Sequence, residues 1–153
     1  MLSAERAMPK ALIDTNVLLA ACYGRRTWQS PLLTAWLGGH FDWVTSEALL
    51  AEFMQVAARP EHARRIRAGV PQEMEKLLRL RATFVTPLLA SESPPCRDPN
   101  DLFVILTALA GQADYLVTMD GDLLDDVSLM QAMAARGVRL VVPIEFFVSL
   151  HGR

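Results

Sequence analysis

The sequence predicts a single α/β domain, a central five-stranded, mostly parallel sheet with helices on both faces. Three observations lead there. The chain has 153 residues, the length of one ordinary domain. It is 52% hydrophobic and 21% charged, rich enough in apolar residues for a core and too rich for disorder. Its short apolar runs carry no polar alternation and are separated by helical patterns, the signature of parallel strands covered on both sides. The domain is expected to span 10–150, between an N-terminal tail at 1–9 and a C-terminal tail at 151–153.

The elements follow in order. Lys10-Ala-Leu-Ile-Asp14 reads as a buried strand ending in an acid. Thr15-Asn16 opens a turn or helix over 17–21, and Gly24-Arg25-Arg26 is a loop. Ser30-Pro31 starts a helix, serine at the N-cap and proline at the first helical position, and Gly38-Gly39 stops it. A second strand occupies 41–45. Ser46 caps a helix over 47–59, whose Leu49, Leu50, Phe53, Met54 and Ala57 recur at helical spacing. Pro60 ends it.

Residues 61–68 read as helical, broken at Gly69, and Pro71 starts a helix to about Leu80. A third strand is expected at 82–85, then a proline-containing loop at 86–97. Asp98-Pro99-Asn100-Asp101 opens the helix Leu102–Ala110, closed by Gly111. A fourth strand is expected at 115–118, a turn or short helix at 122–126, and a helix at 128–135 closed by Gly137. The fifth strand at 138–142 and a helix at 143–150 complete the pattern.

Several function classes are disfavoured. The longest apolar stretches, Leu102–Ala110 and 140–144, fall short of the roughly 18 residues that span a membrane. The opening MLSAERAMPK lacks the apolar core of a signal peptide, so a cytoplasmic location is the expectation. Cys22 and Cys96 form no zinc signature, and His40, His62 and His151 form no ligand pair. Neither a Gly-x-Gly-x-x-Gly nor a Walker lysine motif occurs.

Net charge is −2, but its distribution is uneven. From Arg59 to Arg81, seven basic residues face three acids; from Ala82 to Asp126, eight acids face Arg97 alone. Such a division fits metal-assisted chemistry on a polyanion, and equally a solvated surface.

The acids fall in telling places. Asp14 ends the first strand and Asp120 lies just past the fourth. Asp98 and Asp101 stand at the first turn of a helix, and Glu52 lies within a largely apolar one. Strand ends of a parallel sheet share one edge, so these carboxylates can converge there. Four or five carboxylates without His or Cys make an all-oxygen site that prefers Mg²⁺ or Mn²⁺. Such ions activate water for phosphodiester hydrolysis. Each acid also has a plain structural role open to it. Asp98 suits an N-cap, Asp101 suits a helix N-terminus, and Asp114, Asp122, Asp125 and Asp126 suit turns. Glu52 can pair with an arginine. Asp14 has only the following turn to cap.

These residues resemble a family. Leu12-Ile13-Asp14-Thr15-Asn16 is similar to the opening motif of PIN-domain ribonucleases. The segment from Ser46 to Phe53, SEALLAEF, resembles their second acidic motif. Asp98-Pro99-Asn100-Asp101 with the helix after it, and the run ADYLVTMDGDLL from Ala113 to Leu124, resemble the third and fourth. VPIEFF from Val142 to Phe147 resembles the family's last strand and helix. Within the family, the chain most resembles the VapC-like toxin components of bacterial toxin–antitoxin pairs.

The resemblance implies a metal-dependent endoribonuclease using Mg²⁺ or Mn²⁺, with RNA as substrate, a cognate antitoxin as partner and a homodimeric state. It implies an acidic quartet of Asp14, Glu52, Asp101 and Asp120, with Asp98 and Asp122 as accessories. Asn16, Ser46 and Thr118 become supporting polar groups that position water or the acids. Two positions depart from the pattern: Asn100, where another aspartate is frequent, and Met119, where glycine or arginine is common.

Arg64, Arg65 and Arg67 are either a solvated face or contacts to RNA phosphates. Two other readings compete with the nuclease. Asp14-Thr15-Asn16 faintly matches an Asp-x-Asp phosphotransfer motif, but its second acid is Asn, and neither Lys10 nor Lys76 stands where a receiver domain needs its lysine. A non-catalytic binding module on the same scaffold is the other, against which the intact quartet argues.

Overall fold

The computed structural model describes residues 8–87, 94, 98 and 101–151. The five strands are β1 (Lys10–Ile13), β2 (Asp42–Thr45), β3 (Thr83–Phe84), β4 (Tyr115–Val117) and β5 (Arg139–Val141). They form one sheet in the order β3-β2-β1-β4-β5, with every neighbouring pair parallel. β1 is central: Leu12 pairs with Val44 on one side and Leu116 on the other. Ala11 and Leu12 are fully buried, which explains the absence of polar alternation in this strand.

The helices among the described residues are α1 (Thr15–Cys22), α2 (Pro31–Leu37), α3 (Glu47–Ala57), α4 (Pro60–Ala63), α5 (Val70–Arg81), α6 (Leu102–Ala110), α7 (Gly121–Leu124), α8 (Val127–Ala135) and α9 (Pro143–His151). Ser30 and Ser46 cap α2 and α3 as their positions predict, accepting from Leu33 N at 3.4 Å and Leu49 N at 3.3 Å.

One core cluster joins β1 and β2 to α1, α2, α3, α5 and α9 through residues such as Val17, Leu33, Trp43, Phe53, Met74 and Phe146. The other joins the sheet to α6, α7 and α8 through Leu12, Ile105, Leu116, Leu123 and Leu129. Gly111, the C-cap of α6, is where helix and sheet come closest. A side chain there would strike Val44, so only glycine fits.

Several local expectations are revised. Residues 61–68 are not a helix: α4 is one turn, after which Ile66 bridges to Tyr23 and Gly24. β3 is two residues long and joins only the upper end of β2, with Thr83 opposite Val44 and Phe84 opposite Thr45. The reason lies in α5, which runs antiparallel to α3. It brings Arg79 beside Glu47 (2.9 Å) and delivers the chain already high on the sheet. A short 3₁₀ turn, Thr27–Gln29, precedes α2. Asp126 is a buried cap rather than a solvated turn residue, accepting from Leu129 N at 3.1 Å.

Pro9, just before β1, is buried, and its carbonyl accepts from Asp42 N (2.9 Å). α9 includes His151. Residues 1–7, 152–153, Cys96 and Asn100 lie outside the described residues. Cys22, the last residue of α1, is buried, and burial pushes its thiol up to about 12. No helix among the described residues is long and apolar enough to cross a membrane.

Candidate active site

Chain direction reverses across the sheet between β1 and β4: β2 and β3 lie on one side of β1, and β4 and β5 on the other. A crevice opens at the strand C-termini where such a reversal occurs. Asp14 follows β1 and Asp120 follows β4, so the topology sets both at that crevice.

Asp14 is 8% exposed, and its backbone N–H still belongs to the sheet, donating to Val117 O at 2.9 Å. Its side chain has two fixed donors. Thr15 N–H donates to Oδ1 (2.9 Å) and the Thr118 hydroxyl donates to Oδ2 (2.7 Å). Thr118 Oγ1 in turn accepts from Asp120 N at 3.0 Å. A fully buried threonine thus ties the acid after β1 to the loop that carries the acid after β4. Burial is the main reason the Asp14 carboxyl is raised above its usual range. Its two hydrogen bonds oppose the rise, and the charges of Glu52 and Asp120 add to it.

Glu52 lies on the exposed side of α3, not on the apolar face where the sequence pattern set it. Its partner is not an arginine: the Thr15 hydroxyl donates to Glu52 Oε2 at 2.7 Å, linking α3 to α1. Thr15 is the residue that sequence reasoning left without a role. Its signal was its position, directly after the strand-end acid at the first turn of a helix.

Asp101 occupies the N-cap of α6, yet its backbone is helical and its carboxylate makes no capping hydrogen bond. Its N–H donates to Asp98 O (3.0 Å), closing a turn. The carboxyl is raised to about 6, first by desolvation, then by the negative charges of Asp120, Asp98, Asp14 and Asp122. Asp120 thus acts on both Asp101 and Asp14, Asp98 and Asp122 act on Asp101, and Glu52 acts on Asp14. Among the described residues, no three of them stand at the spacing that would clasp an ion as a set.

Asp120 caps α7, accepting from Asp122 N at 2.9 Å, which leaves Asp122 exposed beside it. Asn16 Oδ1 accepts from Met119 N (3.4 Å), tying α1 to the same loop, while the Met119 side chain is exposed. Ser46 is buried, and its hydroxyl is engaged by Leu49 N and by Thr107, 3.4 Å away. Thr107, the lone hydroxyl in α6, also donates to Phe103 O at 2.7 Å.

The structure does not bring Arg64, Arg65 and Arg67 to the carboxylates. They lie beyond the far end of α1, where Gly24 N donates to Arg65 O at 2.8 Å.

Among known proteins, a family model described as the PIN domain matches residues 10–122. No curated protein and no solved structure matches the chain.

Proposed function

Since this chain belongs to the PIN-domain family, in general a family of nucleases, we propose that it is a metal-dependent endoribonuclease that hydrolyses RNA phosphodiesters. The observation that carries this reading is the Asp101 carboxyl, whose pKa is raised to about 6 by burial and by the charges of four other carboxylates. Acids on four separate segments that repel one another favour a shared cation.

The donor set fits a hard ion such as Mg²⁺ or Mn²⁺, because every candidate ligand is a carboxylate oxygen. Asp14, Glu52, Asp101 and Asp120 would hold it once the ion draws them closer than they stand without it, with Asp98 and Asp122 in support. When bound, such an ion lowers the pKa of water and neutralises charge developing on the scissile phosphate. The chain's own residues do the positioning. Thr118 and Thr15 lock both oxygens of Asp14. The Thr15 hydroxyl holds Glu52, and Asn16 steadies the loop bearing Asp120. Ser46 acts one step away, through the start of α3.

We further read the protein as the toxin of a type II toxin–antitoxin pair, cytoplasmic and homodimeric. In support, an apolar groove of about 250 Å³ opens beside the acidic loop, lined by Val17, Ala20, Leu32, Met119, Pro143 and Phe147. It suits an apolar segment of a cognate antitoxin. The exposed Ile144 and Val148 of the adjoining α9 suit a second copy.

The test is cleavage of single-stranded RNA by purified protein in Mg²⁺, in Mn²⁺ and in EDTA, beside Asp14→Asn. Cleavage confined to the metal-supplied parent supports the reading. RNA binding without cleavage in either metal would leave a catalytically inert binding module instead.

A further inference from the structure

A second charged feature lies at the other end of α1. Gly24, Arg25, Arg64, Arg65, Ile66 and Arg67 line an open groove of about 590 Å³. All four charges are guanidinium groups and no acid lines it. Among the described residues, no ion pair or hydrogen bond takes up the side chain of Arg25, Arg64 or Arg67. Like charges held together without counter-ions repel, so the fold must hold them there by other means.

Those means are visible. Tyr23 and Gly24 bridge to Ile66, and Gly24 N donates to Arg65 O at 2.8 Å. Gly24 has φ +80°, a left-handed turn that a side chain would strain, and Arg25 follows it. The Tyr23 hydroxyl meets His62 Nδ1 at 2.6 Å, and the Arg65 guanidinium lies 3.9 Å over the Tyr23 ring. Arg65 is thereby a positioning residue. Arg25, Arg64 and Arg67 remain open to solvent.

We infer that this groove is an anchoring site for the phosphate backbone of a single-stranded RNA, separate from the carboxylates and bound through Arg25, Arg64 and Arg67. The identity of the strand rests on the ribonuclease reading above. The physical need is plain: a crevice of carboxylates repels a polyanion, so attraction for the strand must come from elsewhere on a chain of net charge −2. The distance sets the substrate's size. Asp14 and Tyr23, which cap the two ends of α1, are nine positions apart in the chain. At 1.5 Å per residue that is about 13 Å. At about 3.4 Å per nucleotide in a stacked strand, the two places are about four nucleotides apart.

The test measures binding in EDTA, so that turnover plays no part. The triple variant Arg25→Gln, Arg64→Gln, Arg67→Gln is titrated with a labelled single-stranded RNA of about twelve nucleotides, a length within known single-strand site sizes. Affinity should fall at least about tenfold, and the salt slope should drop by about two, at about 0.7 per lost phosphate contact. The corresponding triple lysine variant should retain the slope, and Asp14→Asn, which removes one repelling charge, should bind at least as well as the parent. Where cleavage occurs, the glutamine variant should raise KM for the long RNA and leave kcat within about twofold, with a trinucleotide cleaved as by the parent. Absence of cleavage would defeat the nuclease reading and leave the binding result standing. An unchanged affinity and salt slope in a glutamine variant that melts like the parent would make the arginines a solvated face and overturn the inference.

Discussion

The Thr118 hydroxyl donates to Asp14 Oδ2 at 2.7 Å, between residues 104 apart in the chain. Thr118 Oγ1 itself accepts from Asp120 N at 3.0 Å, so one buried side chain joins two strand ends where the strand order reverses. An acid at the end of β1 is thereby held with little freedom, in the direction that the loop after β4 approaches.

Thr118→Val keeps shape and removes both hydrogen bonds. A buried carboxylate and a backbone N–H each lose a partner, at about 1–3 kcal/mol for such a group. The valine variant should melt several degrees below the parent, while Thr118→Ser, which retains the hydroxyl, should stay much closer. Equal melting of the two variants would show that the relay carries no stability.

Asp14→Asn preserves size but places an amide N–H₂ where one oxygen had accepted from Thr15 N or from the Thr118 hydroxyl. It also removes a charge on which a bound cation depends. RNA cleavage should fall by at least about 10²-fold, the scale of losing a principal electrostatic contact. A quantitative cleavage assay in Mg²⁺ checks this, and parental activity in the variant would remove Asp14 from the chemistry.

Asp101 links pH to stability. Its native carboxyl is raised to about 6, above an ordinary value near 3.8. The folded state therefore binds this proton more tightly than the unfolded chain. The resulting stabilisation is full below about pH 4 and is lost as pH rises through about 6. In EDTA, Asp101→Asn should flatten the dependence of melting temperature on pH across that window. At pH 7 it should melt above the parent. A parallel pH profile in both proteins would show that Asp101 does not feel its neighbours.

Cation binding should act in the opposite sense to this repulsion. Millimolar Mn²⁺ or Mg²⁺ should raise the parent's melting temperature, by about 2.7 kcal/mol of added stability at a hundredfold excess over Kd. Asp120→Asn should melt higher than the parent in EDTA, because it relieves the charge acting on Asp14 and Asp101, and should lose most of the metal shift. Melting curves insensitive to either metal, with Asp120→Asn below the parent in EDTA, would mean that the carboxylates do not share a cation.

Much of this was legible in the residues because the signals are local. Apolar runs without alternation mark β1, β2, β4 and β5, and Ser30, Ser46 and Gly111 mark helix ends at or next to their observed positions. Asp14 and Asp120 were identifiable as strand-end acids before any strand order was known. The segment at 61–68 misled because its composition is helical while its conformation is decided by contact with Tyr23 and Gly24. Glu52 lies within a largely apolar helix, whereas its partner, the Thr15 hydroxyl, stands on another helix.

The sequence by itself determined the α/β class, most of the strands and longer helices, and the acids that stand at strand ends and helix starts. These depend on periodicity, capping and turn chemistry within a few residues. The tertiary structure decided the order β3-β2-β1-β4-β5, and so that Asp14 and Asp120 lie on either side of the chain reversal. It also decided that Thr15 holds Glu52, and that the arginines gather at the opposite end of α1 from the carboxylates. The physical reason is that parallel strands are joined by crossovers whose local sequence does not encode which edge the next strand takes. That choice comes from the summed burial of two apolar faces, which no short segment carries.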